Sequence, residues 1–187
     1  MHRYPARRGP IAALLLCGLA LSACGDTDAD ADESVVTIEV PDDWQRSDPE
    51  VTAEVLESLR WTPSGDDGSS LRVVVGCGTD TTVDELLAGA ASGERPMPVV
   101  GATDEPEEVE VDGLEEARRI TFAMGSSQDD IRAWQAGLYG VTGDALVLIE
   151  LFRPHAQFSE SQAAEVLDSV SVDADAAAER CAEDDDT

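Results

Sequence analysis

The apolar run ALVLIELF at 145–152 constrains the fold more than any other segment of this chain. The short turn Thr142-Gly143-Asp144 precedes it, and a second strand-like segment, 131–141, precedes that turn. This pattern predicts a β-hairpin, because two apolar segments joined by a short Gly-containing loop are typical of antiparallel strands. The second arm has almost no polar position, so we expect it to be buried on both sides, at the centre of a sheet.

Four further segments have the composition of strands. Residues 36–40 alternate between apolar and polar side chains and end at Pro41-Asp42-Asp43-Trp44, which predicts a turn that brings Trp44 onto the domain. Residues 71–75 form a short apolar run that predicts a buried strand. Residues 108–111 and 114–124 stand on either side of Asp112-Gly113, a dipeptide that is typical of a tight turn between two strands. Together with the hairpin, these segments predict a mainly antiparallel sheet.

Two segments have the signature of an N-capped helix. Thr82 and Glu85 have the spacing of a capping box, and so do Ser159 and Gln162. Each box opens a segment with apolar residues at helical spacing. The side chains predicted to face inward are Val83, Leu86, Leu87, Ala90, Ala163, Val166, Leu167 and Val170. The stretch between these segments, 92–108, is rich in Pro and acidic residues and predicts a long connection.

The sequence leaves the structure of 45–62 open. Asp48-Pro49-Glu50 is a helix-start signal, and the apolar residues that follow it have helical spacing. A strand through Leu59 and Trp61 agrees with the same residues. In either case the element order predicts one α+β domain over residues 35–172, an antiparallel sheet flanked by helices.

The N-terminus has the organisation of an export signal. Arg3, Arg7 and Arg8 precede an apolar segment, 11–23, that is shorter than the roughly 20 residues a membrane-spanning helix needs. The segment ends in Leu21-Ser22-Ala23-Cys24, which resembles the bacterial lipobox. That resemblance implies a signal peptide over residues 1–23 and a lipidated Cys24 as the mature N-terminus, while an ordinary secretory signal remains the alternative.

This signal peptide and its lipobox predict a protein anchored by lipid to the extracytoplasmic face of the cell membrane. Residues 24–34 are acidic and predict an extended tether, because like charges along a linker repel one another. Arg7-Arg8 is also compatible with twin-arginine export, but Gly9-Pro10 follows where that signal has apolar residues, so we favour the general secretory route.

The cysteines predict one disulfide. Of the four cysteines, Cys17 leaves with the signal peptide and Cys24 carries the lipid, which leaves Cys77 and Cys181. Disulfides persist outside the reducing cytoplasm, so we expect these two to be bonded to each other. The bond would hold part of the acidic C-terminal tail, residues 173–187, against the domain as a helical turn over 176–180. Two free thiols are the alternative.

The charge of the chain excludes one class of partner. There are 40 acidic residues and 12 basic ones, all of them Arg, for a net charge of −28. Nucleic-acid and other polyanion-binding proteins need clustered Lys and Arg, so we expect no nucleic-acid partner.

The sequence contains no catalytic or metal-binding signature. His155 is the one His after the signal peptide, and no nucleophile elbow accompanies it. Asp28, Asp30 and Asp32 have the spacing of an EF-hand start with Glu39 at the last ligand position, but Glu33 stands where that loop needs Gly. We therefore expect no enzyme activity, no dedicated metal site and no cofactor.

Several segments resemble a known fold. They are VPDDW at 40–44, VDG at 111–113, GDALVLIELFRP at 143–154 and AEVLDSVSV at 164–172. In this order they resemble the α/β/α sandwich shared by the photosystem protein PsbP, the Ran-binding protein Mog and LpqN-type actinobacterial lipoproteins. Most members of this fold act as binding or assembly modules. The resemblance therefore implies a non-catalytic module of the cell envelope whose partner is an unidentified protein or lipid.

Two other functions compete with this hypothesis. A lipid or glycolipid carrier would need an apolar cavity, which Trp44, Trp61 and Trp134 could line. Packing at the core and its rim is the competing role for these three side chains. A hydrolase is the weaker hypothesis, because it would depend on His155 and on carboxylates that are abundant everywhere in the chain.

Overall fold

The computed structural model describes residues 34–49, 55–65, 67–78, 80–93 and 97–184. The predicted signal peptide, Cys24 and nearly all of the tether lie outside these residues. The main sheet is antiparallel throughout. Its strands are β2 (Trp44–Ser47), β3 (Val55–Pro63), β4 (Ser70–Cys77), β5 (Val99–Ala102), β6 (Glu107–Glu108), β7 (Glu116–Ser127), β8 (Asp130–Thr142) and β9 (Ala145–Pro154).

The strands follow the order β2-β3-β4-β9-β8-β7-β5, and β6 also pairs with β7. The strand predicted to be central, β9, lies between β4 and β8, which confirms its position. The β8–β9 turn contains Gly143 with φ of 53°, a left-handed conformation that Gly adopts without steric cost. The α+β class predicted from the sequence is confirmed.

Strand alternation gives the sheet two different faces. On the first face, the side chains of β4, β8 and β9 form the main core with α2 (Glu160–Asp168) and α3 (Ala174–Asp184). Its innermost members include Val73, Leu138, Val147 and Ile149, each at most 1% exposed. We call this the two-helix face.

The second face is covered by one helix. Val83, Leu87 and Ala90 of α1 (Val83–Ser92) pack against Phe122 of β7 and Tyr139 of β8. The predicted capping box is present, since Glu85 N–H donates to Thr82 Oγ1 and Thr82 N–H donates to the Glu85 carboxylate. We call this the one-helix face.

Both ends of the described chain are fixed to the two-helix face. The short strand β1 (Val36–Thr37) pairs with β10 (Ser171–Val172), just before α3. Glu57, only 8% exposed, accepts hydrogen bonds from the Ser34 hydroxyl and from Val35 N–H. The 3.9 Å contact between Arg180 of α3 and Glu57 ties the C-terminal helix to the same carboxylate.

Three segments differ in detail from the sequence prediction. The stretch 45–62, whose structure the sequence left open, is a strand from Val55 onward. The helix-start signal at Asp48-Pro49-Glu50 is therefore not followed by a helix in this part of the stretch. The first strand ends at Thr37 rather than 40. The segment around Gly113 is not a tight hairpin, because it docks on β10: Val172 N–H donates to the Asp112 carbonyl. A Cβ at Gly113 would lie 1.8 Å from the Val172 carbonyl oxygen, so only Gly permits this approach.

Candidate functional site

A groove lies on the two-helix face between the segment that precedes β2 and helix α2. Its volume is about 480 Å³, within the range of ligand sites in proteins. The residues that line it are Glu39, Val40, Pro41, Asp43, Trp44, Pro63, Asp67, Arg153, Gln162, Glu165 and Val166. We call it the Trp44 groove.

A turn predicted from the sequence places Trp44 in the groove. Trp44 N–H donates to the Pro41 carbonyl at 3.0 Å, which closes the turn that begins with Pro41. The backbone N–H and the hydroxyl of Ser64, just after β3, both donate to the Asp43 carbonyl. Glu39 N–H donates to the hydroxyl of Ser169, which follows α2. These bonds fix both walls of the groove.

One arginine stacks on the groove tryptophan. Strand alternation on β9 directs Arg153 to the same face as Leu151, and its Cζ lies 5.0 Å from the centroid of the Trp44 ring. A guanidinium in this position is attracted to the ring face. The contact therefore orders both side chains and occupies one side of the indole.

The other charged groups of the groove are carboxylates. They belong to Glu39, Asp43, Asp67 and Glu165, against the single cation of Arg153. The backbone N–H of Ser69 donates to the Asp67 carboxylate at 2.8 Å and lowers the pKa of this carboxyl below its usual value, so the group is ionised near neutral pH. The groove therefore combines an aromatic wall with an excess of negative charge.

The remaining tryptophans lie at the rim of the core. Trp61 packs beside the main core from β3, half-buried. Trp134 stacks on Phe158 at 5.6 Å between ring centroids. Trp134 Nε1–H donates to His155 Nδ1 at 2.8 Å, so His155 is engaged as a hydrogen-bond acceptor. Of the three, only Trp44 lines the groove.

The adjacent arginines of β7 are directed to opposite faces. Arg118 pairs with Asp84 at the start of α1, and Arg119 pairs with Glu107 and Asp168. The hydrogen bond from Arg119 to Glu107 raises the pKa of the Arg119 guanidinium. These two residues hold helices on the sheet and take no part in the groove.

The structure joins Cys77 and Cys181 by a disulfide, as the sequence predicts. The Cα atoms are 5.5 Å apart, and the bond connects the end of β4 to α3. The turn predicted over 176–180 is part of this longer helix, whose Ala177 is fully buried. The bond is remote from the Trp44 groove.

The described residues contain no group of three or more side chains arranged to hold a metal ion. The acidic residues at 28–32 lie outside that part of the chain, and Glu39 lines the groove. None of the helices in the described part is long and apolar enough to cross a membrane.

Sequence reasoning predicted Trp44 and its turn but missed Arg153, Asp67 and Glu165 as its neighbours. Alternation along 145–154 indicates which face Arg153 occupies. No local pattern in the sequence shows that β3 and then β2 are the next strands of the sheet after β4, on the side away from β9. The pairing of distant strands decides which side chains share the groove.

The comparisons with known proteins identify similar folds but no protein of similar sequence. No family model matches the chain, and no curated protein sequence matches it. Among solved structures, LpqN of Mycobacterium tuberculosis, described as involved in cell envelope biogenesis, is 16% identical with a TM-score of 0.45 over 73% of this chain and 82% of that one. A protein of Bacteroides thetaiotaomicron is 12% identical with a TM-score of 0.48 over 74% of this chain and 45% of that one.

The solution structure of cyanobacterial PsbP (CyanoP) from Synechocystis matches with a TM-score of 0.57. The match covers 81% of this chain and 98% of that chain at 14% identity. At this identity the likeness concerns the fold alone. The chain therefore has a PsbP-like α+β fold, as the resemblance in its sequence implies.

Proposed function

We propose that this protein is a non-catalytic, membrane-anchored module of the cell envelope whose Trp44 groove binds a segment of another envelope protein. The observation that carries the proposal is the pairing of an ordered aromatic wall with four carboxylates in one groove. A segment with a positively charged side chain beside an apolar one would complement both features. The partner class that follows is a cationic, partly apolar protein segment.

The anchor is the part of the proposal that rests on sequence alone. Two or three acyl chains at Cys24 would hold the protein on the membrane, at about 0.8 kcal/mol for each buried CH₂. Mass spectrometry of detergent-extracted protein should find a mature N-terminus at Cys24 with added acyl mass. Recovery of unmodified wild-type protein cleaved at another position would refute the anchor.

The absence of catalysis rests on the arrangement of the groove and of His155. The groove has no nucleophile that a base could activate among the residues that line it. His155 accepts a hydrogen bond from Trp134, which takes up the nitrogen that a general base would use. Hydrolysis of an envelope substrate that is lost on replacement of His155 would overturn this part of the proposal.

The carrier hypothesis is not favoured by this groove. A cavity for acyl chains needs a predominantly apolar lining. Here five charged side chains line the groove, and burying their charges against hydrocarbon would be costly.

Site-specific photo-cross-linking in intact cells tests the proposed interface. A photoreactive amino acid at Gln162 should give a discrete protein adduct, because this position lines the groove. The matched control is Asp129, which is exposed in the β7–β8 turn and should give no such adduct. Trp44→Ala, and separately Asp43→Asn with Glu165→Gln, should reduce the adduct by about tenfold. Equal adducts at both positions, or yields that the groove variants leave unchanged, would contradict the proposal.

A further inference from the structure

On the one-helix face, part of the sheet carries exposed side chains in the described part of the chain. Helix α1 packs on β7 and β8. Beyond it, strands β3 and β4 direct Arg60 and Arg72 outward, and both side chains are exposed. The two residues are direct partners in the antiparallel register.

These two arginines differ from the other cations of the domain. Neither Arg60 nor Arg72 forms an ion pair with any other residue in the described part of the chain. The other described arginines contact a carboxylate within 4 Å or an aromatic ring: Arg46, Arg118, Arg119, Arg132, Arg153 and Arg180. The contrast is informative because the chain has 40 acidic residues for 12 arginines, so carboxylates are in large excess.

The nearest carboxylate in the register is engaged elsewhere. Glu150 of β9 is the cross-strand partner of Arg72. Its Oε1 accepts hydrogen bonds from Gln135 Nε2 at 2.8 Å and from the Tyr139 hydroxyl at 3.0 Å, both on β8. Two like charges directly opposite each other on adjacent strands are unfavourable, and the Glu150 carboxylate opposite Arg72 also accepts these two hydrogen bonds.

The rows on either side of the arginine pair are suited to an extended chain. Ser58 and Val74 are cross-strand partners on one side, and Phe152 is opposite Ser70 on the other. All four are partly exposed. Hydroxyl groups and apolar side chains thus flank the two guanidiniums, a mixture found at specific protein interfaces.

We infer that this open sheet face, centred on Arg60 and Arg72, binds an acidic, partly apolar segment of a partner protein. Charge complementarity selects the occupant: two adjacent guanidiniums bind one or two carboxylates, and the apolar neighbours bind what lies between them. The net charge of −28 opposes the binding of an extended polyanion, so the proposed ligand is a short segment whose few carboxylates contact the arginine pair directly. This surface is separate from the Trp44 groove, which lies on the opposite face.

The test uses two short peptides of equal length, one alternating Glu and Val and one alternating Gln and Val. By fluorescence anisotropy, the full-length protein should bind the Glu peptide about tenfold more tightly than the Gln peptide. Raising the salt concentration should weaken the Glu complex, because salt screens the attraction between the peptide carboxylates and the two guanidiniums. In NMR spectra, the Glu peptide should shift the amide signals of 58–62 and 70–74.

Variants assign the binding to the arginine pair. Arg60→Gln with Arg72→Gln should weaken the Glu complex about tenfold. Arg60→Lys with Arg72→Lys, which keeps the charge, should recover part of the affinity. The matched control, Arg132→Gln, removes one exposed arginine that is paired with Asp130 and should leave the affinity unchanged.

Three results would overturn the inference. They are equal affinity for the two peptides, no binding of either, and a loss that Arg132→Gln reproduces. Binding to phosphatidylglycerol vesicles that exceeds peptide binding and depends on Arg60 and Arg72 would replace the peptide segment with a membrane surface and also refute the inference.

Discussion

On one face of the sheet two helices and both ends of the described chain cover the strands, whereas on the other face the described residues form one helix, which packs mainly on β7 and β8. The two-helix face holds the disulfide, the larger core and the acidic Trp44 groove. The one-helix face holds a smaller core beside the exposed pair Arg60 and Arg72. The faces thus differ in helix coverage, and the acidic groove lies on one of them while the exposed arginine pair lies on the other.

This difference indicates how stability and binding are divided. Buried apolar area stabilises the fold, so the face with the larger core should dominate the free energy of unfolding. The open strands can then present an arginine pair without loss of a core contact. The following predictions compare how much each face contributes to the free energy of unfolding.

The largest effect should come from the disulfide. Replacing Cys77 and Cys181 together with Ala should lower the free energy of unfolding by up to about 4.7 kcal/mol, because the bond closes a loop over a separation of 104 residues. Urea denaturation of the oxidised wild type and the double variant measures the difference. Oxidised wild type treated with reductant is the matched control, and it should lose a similar amount. Equal midpoints would show that the bond does not stabilise this face.

A pair of neighbours on β9 compares the two faces directly. Ile149→Ala should cost at least about 2 kcal/mol but less than loss of the disulfide, because Ile149 is fully buried in the main core. Leu148→Ala should cost clearly less, because Leu148 faces the one-helix side and is partly exposed. Both variants are measured by urea denaturation. A larger loss from the Leu148 variant would contradict the assignment of stability to the two-helix face.

The adjacent arginines of β7 give a smaller comparison. Arg119→Met removes two ion pairs on the two-helix side, and Arg118→Met removes the pairs with Asp84 and Glu116 on the other. Each change should cost no more than about 1 kcal/mol, since the acidic partners are largely exposed. Met keeps the aliphatic contacts of the side chain. A loss several times larger at either position would show that these pairs do more than hold a helix.

The smallest effect concerns the cap of α1. Hydrogen bonds from the Thr82 N–H and hydroxyl lower the pKa of Glu85 below its usual 4.5. Because the folded state lowers this pKa, the carboxylate stabilises the fold at neutral pH, and that contribution is lost as the pH falls through the folded value. Glu85→Gln should therefore be slightly less stable than wild type at neutral pH and equal to it in strong acid. If the difference in the free energy of unfolding between wild type and Glu85→Gln grew as the pH fell, the stabilising role of this capping carboxylate would be contradicted.

The sequence predicts most of the sheet because its signals are local. The hairpin of β8 and β9, the capped helix α1 and the turn before Trp44 each depend on residues close together in the chain. The sequence around Val55 was ambiguous because the spacing of its apolar residues fits both a helix and a strand. In the structure this segment pairs with β4 and is therefore a strand. The groove around Trp44 and the pair Arg60 and Arg72 depend on contacts between distant strands, which no local pattern contains.

The central claim is that the two faces carry separate binding surfaces of opposite charge preference. One NMR titration tests it, in which a short Arg-Val peptide and a short Glu-Val peptide are added to the labelled protein in either order. We expect the Arg peptide to shift the amides of 39–44 and 162–166 and the Glu peptide to shift those of 58–62 and 70–74, with neither displacing the other. A single shared set of shifts, or displacement of one peptide by the other, would contradict the claim.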